Sequence, residues 1–171
     1  MSRKKRVHKS LVKPDPIFGS LVIAKFINCL MLDGKKSIAA NAFYNAISRV
    51  KASKTIQESE QLKNASEVEI FEKIIQISRP VVEVRSRRIG GSNYQIPLNI
   101  ENTPRSLSLS IKWVVAAVRS KKNTSINEKI YGVFNDSLNN RGEAIKKKEQ
   151  IESVAEANKA YAHLAINFNK K

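Results

Sequence analysis

The segment Arg79 to Pro97, RPVVEVRSRRIGGSNYQIP, is the only part of the chain in which hydrophobic residues alternate with a period of two. The sequence on either side follows a helical period, so this segment predicts a two-stranded hairpin arm, at about residues 80–100, on a helical body. Runs rich in Val, Ile and Tyr flank Gly90 and Gly91, and paired glycines reach the positive φ that a tight turn needs. The turn is therefore predicted at Ile89 to Ser92.

We expect the hairpin register to keep the two faces of the arm chemically distinct, because a shift of one residue exchanges the faces of a strand. With Arg85 opposite Gln95, one face is apolar and the other is a cationic and amide surface. The first face then holds Val82, Val84, Ser86, Tyr94, Ile96 and Leu98, and the second holds Glu83, Arg85, Arg87, Asn93, Gln95 and Pro97. A strict two-residue loop would set Arg87 against Tyr94 and mix the faces, so a three-residue or bulged loop is favoured.

The arm also carries an unusual density of arginine. The four arginines are Arg79, Arg85, Arg87 and Arg88, and Glu83 is the only acid among them. Guanidinium groups pair with phosphate through two parallel hydrogen bonds and stack on bases, so an arm of this composition suits a nucleic-acid groove. For one arginine a solvated surface would be the better interpretation, but for this cluster nucleic-acid binding is favoured.

Length and charge narrow the class of protein. At 171 residues, 42% of them hydrophobic, the chain can bury one sizeable core, so we expect a single helical domain over residues 15–171 after a basic tail at residues 1–14. Lys and Arg total 31 against 15 Asp and Glu, a net charge of +16. This excess favours a nucleic-acid partner over a membrane, since no apolar run approaches the length that spans a bilayer.

Residues with catalytic or metal-binding chemistry are few and scattered. Cys29 is the only cysteine, and His8 and His163 have no companion acids or cysteines at metal or triad spacing. Gly90 and Gly91 lie between strands rather than before a helix, so no phosphate-binding loop is indicated. We therefore predict no enzyme activity, cofactor, metal site or small-molecule substrate.

Six helices are predicted around the arm, which gives a mainly α fold: a six-helix, bundle-like body with an inserted two-stranded β-hairpin. Their starts are indicated by Asp15 with Pro16, Ser37 after Gly34, Ser66 with Glu69, Asn102 or Thr103 before Pro104, Ser125 with Glu128, and the lysine run 146–148. We expect Ile17 and Leu21 to be buried in the first helix, and Ile38 and Phe43 in the second. Lys51 to Asn64 lacks apolar periodicity and is predicted to be an exposed polar loop.

Cationic residues outside the arm fall in four places: the tail, the turn before the second helix, the helix after the arm, and the start of the last helix. They are Arg3, Lys4, Lys5, Arg6 and Lys9; Lys35 and Lys36; Arg105, Lys112 and Arg119; and Lys146, Lys147 and Lys148. Charged helix faces are usually only solvated, so the case for a polyanion depends on all these patches together.

Three blocks of this sequence resemble the family of small-ribosomal-subunit protein seven. They are DPIFGSLVIAKFINCLMLDGKKS, VEVRSRRIGGSNYQIP and KKKEQIESVAEANKAYAH, in the order found in that family. The resemblance covers residues 15 to about 163. The polar loop is longer than in the bacterial pattern, and the C-terminus is shorter than in many bacterial members.

The resemblance implies a mainly helical protein with a β-ribbon arm that binds the 3′ major domain of small-subunit ribosomal RNA and helps to nucleate assembly of the subunit head. It also implies a position near exit-site transfer RNA and messenger RNA, beside neighbouring head proteins, in a bacterial cytoplasm or an organelle. The matching residues are Lys35, Lys36, Arg85, Arg87, Arg88, Gly90, Gly91, Tyr94, Gln95, Lys146, Lys147, Lys148, Asn158 and His163.

Two other functions remain alternatives on the residues alone. A helical DNA-binding regulator could use the arm as a β-ribbon reader, a class that includes dimeric repressors, although no dimer seam is evident. An RNA-modifying enzyme would need an acid and base pair or a cofactor pocket, for which the chain offers no candidates.

Overall fold

The structure, a computed structural model, describes residues 12–58 and 62–168. The predicted basic residues Arg3, Lys4, Lys5, Arg6 and Lys9 lie outside this part of the chain. The α-helices are α1 (Leu21–Leu30), α2 (Lys36–Lys51), α3 (Lys54–Glu58), α4 (Glu67–Ile77), α5 (Pro104–Ser120), α6 (Ile126–Leu138) and α7 (Glu143–Ala157). Strands β1 (Val82–Ile89) and β2 (Ser92–Asn99) form the arm, and a 3₁₀ helix, η1, spans Lys159–Phe168.

The mainly helical fold with one antiparallel hairpin is confirmed. All six predicted helices are present, and α3 and η1 are additional. Ser66 and Glu69 form the predicted capping box of α4, while Thr103 and Ser125 cap α5 and α6 through their side-chain oxygens. Local capping chemistry therefore set the starts of these three helices. In the described residues, no helix is both long enough and apolar enough to cross a membrane.

The core is built on four fully buried phenylalanine rings from four different helices. Phe26 of α1, Phe43 of α2, Phe71 of α4 and Phe134 of α6 each contact the other three rings, with centroids 5.1 to 6.1 Å apart. Buried isoleucine, valine and alanine side chains surround them. Interlocked rings of this kind resist displacement, so the body is a firm support for whatever it carries on its surface.

The start of the first helix was predicted wrongly. Asp15 does not open α1; its carboxylate accepts hydrogen bonds from the backbone N–H groups of Ile17 and Phe18, which form a separate turn. Gly19, with φ of 64°, reverses the chain, and α1 begins one residue after the N-cap Ser20. Ile17 lies in this turn and not in α1, and it is exposed. Leu21, the first residue of α1, is exposed as well.

The second helix and the polar segment after it also differ from the prediction. Lys35, not Ser37, is the N-cap of α2, and Ile38 is exposed, although Phe43 is buried as expected. Residues 51–64 are not wholly an exposed loop, because the short helix α3 lies within them and Ile56 is buried. A single apolar residue gives no periodic signal, which is why the sequence concealed this contact with the core.

The predicted hairpin register was wrong by one residue. Arg85 pairs with Ile96 and Arg87 with Tyr94, and Gly90 and Gly91 form a strict two-residue loop between Ile89 and Ser92. Both glycines have positive φ, 58° and 90°, the combination that suits the twist of a two-residue hairpin. Turn geometry therefore outweighed side-chain alternation. The faces of the arm are mixed, and arginine shares a face with buried Ile96.

Candidate nucleic-acid interface

At the base of the arm, one carboxylate organises two arginines. Glu83 on β1 receives hydrogen bonds from Arg105 Nη2 at 2.6 Å and Arg105 Nε at 3.1 Å, and from Arg85 Nη2 at 3.2 Å. The Arg105 guanidinium lowers the pKa of Glu83, and Arg85 adds to this effect; the same contact raises the pKa of Arg105. Both arginine side chains are nearly half exposed, so they are held in place but can still meet an anion.

Towards the tip, the arm presents arginine beside tyrosine. Arg87 lies directly across the ladder from Tyr94, on the same face as Arg85. Arg88 is exposed, and its Nε donates to the carbonyl of Gly91 at 3.3 Å, which fixes its stem against the turn. The arm therefore carries three predicted arginines, all on β1, within four residues of one another.

The turn between α1 and α2 forms a second cationic surface. Lys35 and Lys36 are both exposed and have no side-chain partner among the described residues. Gly34, with φ of 75°, allows the chain to reverse here and project the two lysines outward. Lys112 on α5 is similarly exposed and unpaired, whereas Arg119 donates to the carbonyl of Cys29 at 3.0 Å while remaining exposed.

Two of the predicted binding residues have clear roles inside the protein. Arg79 donates through Nε to Ser106 Oγ at 2.9 Å and through Nη2 to the carbonyl of Thr103 at 3.1 Å, which joins the end of α4 to the start of α5. Lys148 donates to the carbonyl of Ile77 at 3.0 Å and so satisfies the C-terminal end of α4. A role for these two cations in RNA binding stays a prediction.

The other two residues of the lysine run point outward. The run lies within the first two turns of α7 rather than before the helix, because Gly142 is the N-cap. Lys146 is exposed and has no partner in the described part of the chain, and Lys147 reaches only Gln150 on the next turn, at 3.2 Å. Gln95 of the arm and Lys147 line the same groove, so the arm and this helix border one surface.

Periodicity in the sequence did not reveal two features of this surface. The first is the bridging role of Glu83, whose partner Arg105 lies on another element. The second is Tyr161 on η1, whose ring centroid lies 5.1 Å from that of Tyr94. Helical spacing predicts Tyr161 in the stripe of the last helix, and it lies in the block KKKEQIESVAEANKAYAH, but neither signal indicates its contact with Tyr94. Among the described residues, no group of His, Cys, Asp or Glu could hold a metal ion.

Comparison with known proteins identifies the family. The family model described as Ribosomal protein S7p/S5e matches residues 2–159. The chain belongs to the ribosomal protein S7p/S5e family. This family supplies a structural, non-enzymatic component of the small ribosomal subunit that binds ribosomal RNA. The prediction that the chain is not an enzyme is thereby confirmed, and the ribosomal function is favoured over the DNA-binding regulator.

Bacterial relatives match almost the full length of this S7p/S5e chain. Proteins named small ribosomal subunit protein uS7 from Afipia carboxidovorans and Pelagibacter ubique are 42% and 43% identical to it, each over 95% of this chain and 98% of the relative. The protein of that name from Nitratiruptor is 44% identical over 94% of this chain and 97% of the relative. The similarity therefore includes both the helical body and the arm.

Proposed function

We propose that this chain is a structural constituent of the small-subunit head and binds the 3′ major domain of the ribosomal RNA through several cationic surfaces at once. The observation that carries the proposal is the arrangement of exposed and half-exposed cations on one rigid helical body. These residues are Lys35, Lys36, Arg85, Arg87, Arg88, Lys112, Arg119, Lys146 and Lys147.

The physical basis is neutralisation of phosphate at fixed distances. Duplex RNA hides its base edges in a deep, narrow groove, so a protein that binds it reads backbone position and groove shape. Charges on a mobile chain would lose conformational entropy each time they were ordered on RNA. Charged side chains on a rigid helical body lose less conformational entropy. This favours a stable early complex that could nucleate assembly of the head.

The arm is the part of this chain that we assign to a specific region of the subunit. The arginine-bearing ribbon, with Gly90 and Gly91 at its tip, would lie along the wide, shallow minor groove of an RNA helix, with Tyr94 and Gln95 beside it there. We assign this arm to the region of exit-site transfer RNA and messenger RNA, next to other head proteins, in a bacterial-type ribosome of a bacterium or an organelle. The basic residues 3–9 would add phosphate contacts from the tail.

The test is a salt titration of the full-length protein against an RNA fragment that contains the 3′ major domain. About ten neutralised phosphates would make the logarithm of affinity fall with the logarithm of salt concentration at a slope of roughly −7 to −9. The double variant Lys35→Ala/Lys36→Ala should lose affinity and make the slope shallower by about 1.5 units. Affinity that does not respond to salt would contradict the proposal.

A matched control removes the same charge from another surface. Lys63 and Lys73 are also exposed lysines without partners among the described residues, and Lys73 lies in a shallow groove with Glu69 and Glu72. Because acids beside Lys73 would repel phosphate, the variant Lys63→Ala/Lys73→Ala should retain most of the affinity. Equal losses in the two double variants would mean that net charge alone, and not a defined interface, determines binding.

A further inference from the structure

The aromatic residues of the body and the arm form two separate groups. Phe18 and Tyr44 join the four core phenylalanines in one connected set, which is the usual use of aromatic rings in a folded core. Tyr94 and Tyr161 form a separate pair between β2 and η1, away from that set. Because this pair lies outside the main core, core packing does not explain why the two rings are in contact.

Tyr161 is also unusual in its exposure. Tyr161 is 38% exposed, and among the Phe, Tyr and Trp residues whose burial the structure describes it is the only one that is neither buried nor half-buried. Tyr94 covers part of the ring, with the two ring planes inclined at 59°. If the pair served only to attach η1 to the arm, burial of both rings would give the larger hydrophobic gain. More than a third of the surface of Tyr161 has instead been left open to solvent.

The face of the arm that carries Tyr94 also carries cations. Tyr94 is the direct cross-strand neighbour of Arg87, and Arg85 lies two residues away on the same face of the arm. An unpaired base can stack on an aromatic ring while nearby guanidinium groups neutralise the flanking phosphates. A paired base is already stacked within its helix, so a duplex cannot use such a ring without being opened.

We propose that Tyr161, supported by Tyr94, is a stacking platform for an unpaired base of single-stranded RNA that passes along the arm, with Arg85 and Arg87 serving the adjacent phosphates. This inference rests on the proposed function, because it assigns a ligand class to the arm of an RNA-binding protein. It adds a site residue, Tyr161, and distinguishes a single-strand site on the arm from the phosphate-binding surfaces of the body.

The experiment uses the full-length protein and two single-stranded oligoribonucleotides about six nucleotides long. One carries the fluorescent base 2-aminopurine at its centre, and the other is abasic at that position, so both have the same phosphates. We expect the first to bind more tightly and its fluorescence to be quenched. Tyr161→Leu should reduce its affinity by about 5-fold to 150-fold, the range expected for loss of one stacked base, whereas Tyr161→Phe should bind like the original protein.

Controls separate stacking from folding and from general RNA binding. Tyr131 is a half-buried tyrosine on α6 that lies under the Arg49 guanidinium, so Tyr131→Leu is the same substitution at another surface and should not change affinity for either oligonucleotide. Binding of the 3′ major domain fragment is measured on each variant. If the unsubstituted protein does not bind that fragment, the proposed function is refuted, and not the stacking site alone.

Three results would overturn the stacking site while leaving ribosomal RNA binding intact. The first is equal affinity of the unsubstituted protein for the two oligonucleotides. The second is unchanged affinity for the 2-aminopurine oligonucleotide in Tyr161→Leu. The third is an equal loss for both oligonucleotides in Tyr161→Leu, which would mean that Tyr161 only attaches η1 to the arm or binds a protein partner there.

Discussion

Glu83 Oε1 on the first strand of the arm lies 2.6 Å from Arg105 Nη2 on the helix that follows the arm. The second oxygen of the same carboxylate accepts from Arg105 Nε, so the contact is bidentate. Because Arg105 is fixed in α5, this pair joins the base of the arm to the helical body. The one acid of the arginine cluster thus fixes the position of the cations beside it.

Replacing Glu83 by Gln should lower stability and loosen the base of the arm. The variant loses the charged partner of Arg105 and Arg85, and because both arginines are partly exposed, the expected loss is about 0.5 to 1 kcal/mol in the free energy of unfolding. Urea denaturation at neutral pH measures it. Glu101→Gln is the matched control, since Glu101 is exposed and its carboxylate has no partner in the described residues. An equally large loss in the free energy of unfolding of that variant would contradict the role of Glu83.

The stabilising effect of Glu83 should depend on pH in a defined direction. Because Arg105 lowers the pKa of Glu83 below its ordinary value of 4.5, folding is favoured by the charged carboxylate at higher pH. The stability difference between the original protein and Glu83→Gln should be complete above pH 4.5 and fade as the pH falls through the lowered pKa. A difference that grows on acidification would contradict the ion pair.

Two adjacent lysines on α7 should behave differently. Lys148→Met removes the hydrogen bond to Ile77 and should lower the free energy of unfolding by about 1 to 2 kcal/mol, with a smaller loss of RNA affinity than Lys147→Met. Lys147→Met should leave stability within about 0.5 kcal/mol but weaken RNA binding and make the salt slope shallower by about 0.8. Denaturation and RNA titration of both variants would test this, and the reverse pattern would refute the assignment.

Phe43 should be among the side chains most costly to truncate. The ring is fully buried and contacts Phe26, Phe71 and Phe134, so Phe43→Ala should lower the free energy of unfolding by about 3 to 5 kcal/mol. Leu32→Ala, at a side chain that is 61% exposed, should change it by less than about 0.5 kcal/mol. A loss below about 1 kcal/mol for Phe43→Ala, measured by urea denaturation, would contradict the core assignment.

Tyr44 should ionise only in strongly alkaline solution. Burial, and after it the hydrogen bond to Asp15 at 2.7 Å, together raise its pKa to about 12. Its stabilising effect is therefore complete below pH 10 and lost as the pH rises through about 12. The difference in tyrosinate absorbance between the original protein and Tyr44→Phe measures this pKa, and Asp15→Asn should move it towards 10. A Tyr44 transition already at pH 10 in the original protein would contradict the buried contact.

The sequence predicted the helices well where local chemistry determines them. The capping box of Ser66 and Glu69 and the cap at Thr103 depend on residues three positions apart, so they can be read directly. The hairpin register could not be read in the same way. Its loop depends on positive φ at both glycines, and its faces are covered by elements far away in the chain, so side-chain alternation alone gave the wrong register.

By itself, the sequence determined the helical body, the position of the arm, the excess of positive charge and the resemblance to a ribosomal family. Only the tertiary structure decided which cations have partners within the protein: Arg79, Arg105 and Lys148 bond to groups on other elements, whereas Lys35, Lys36 and Lys146 have no partner in the described chain. It also brought Tyr161 to Tyr94. The reason is physical, because periodicity and capping act over a few residues, while a side chain's hydrogen-bond partner is chosen by packing between distant segments.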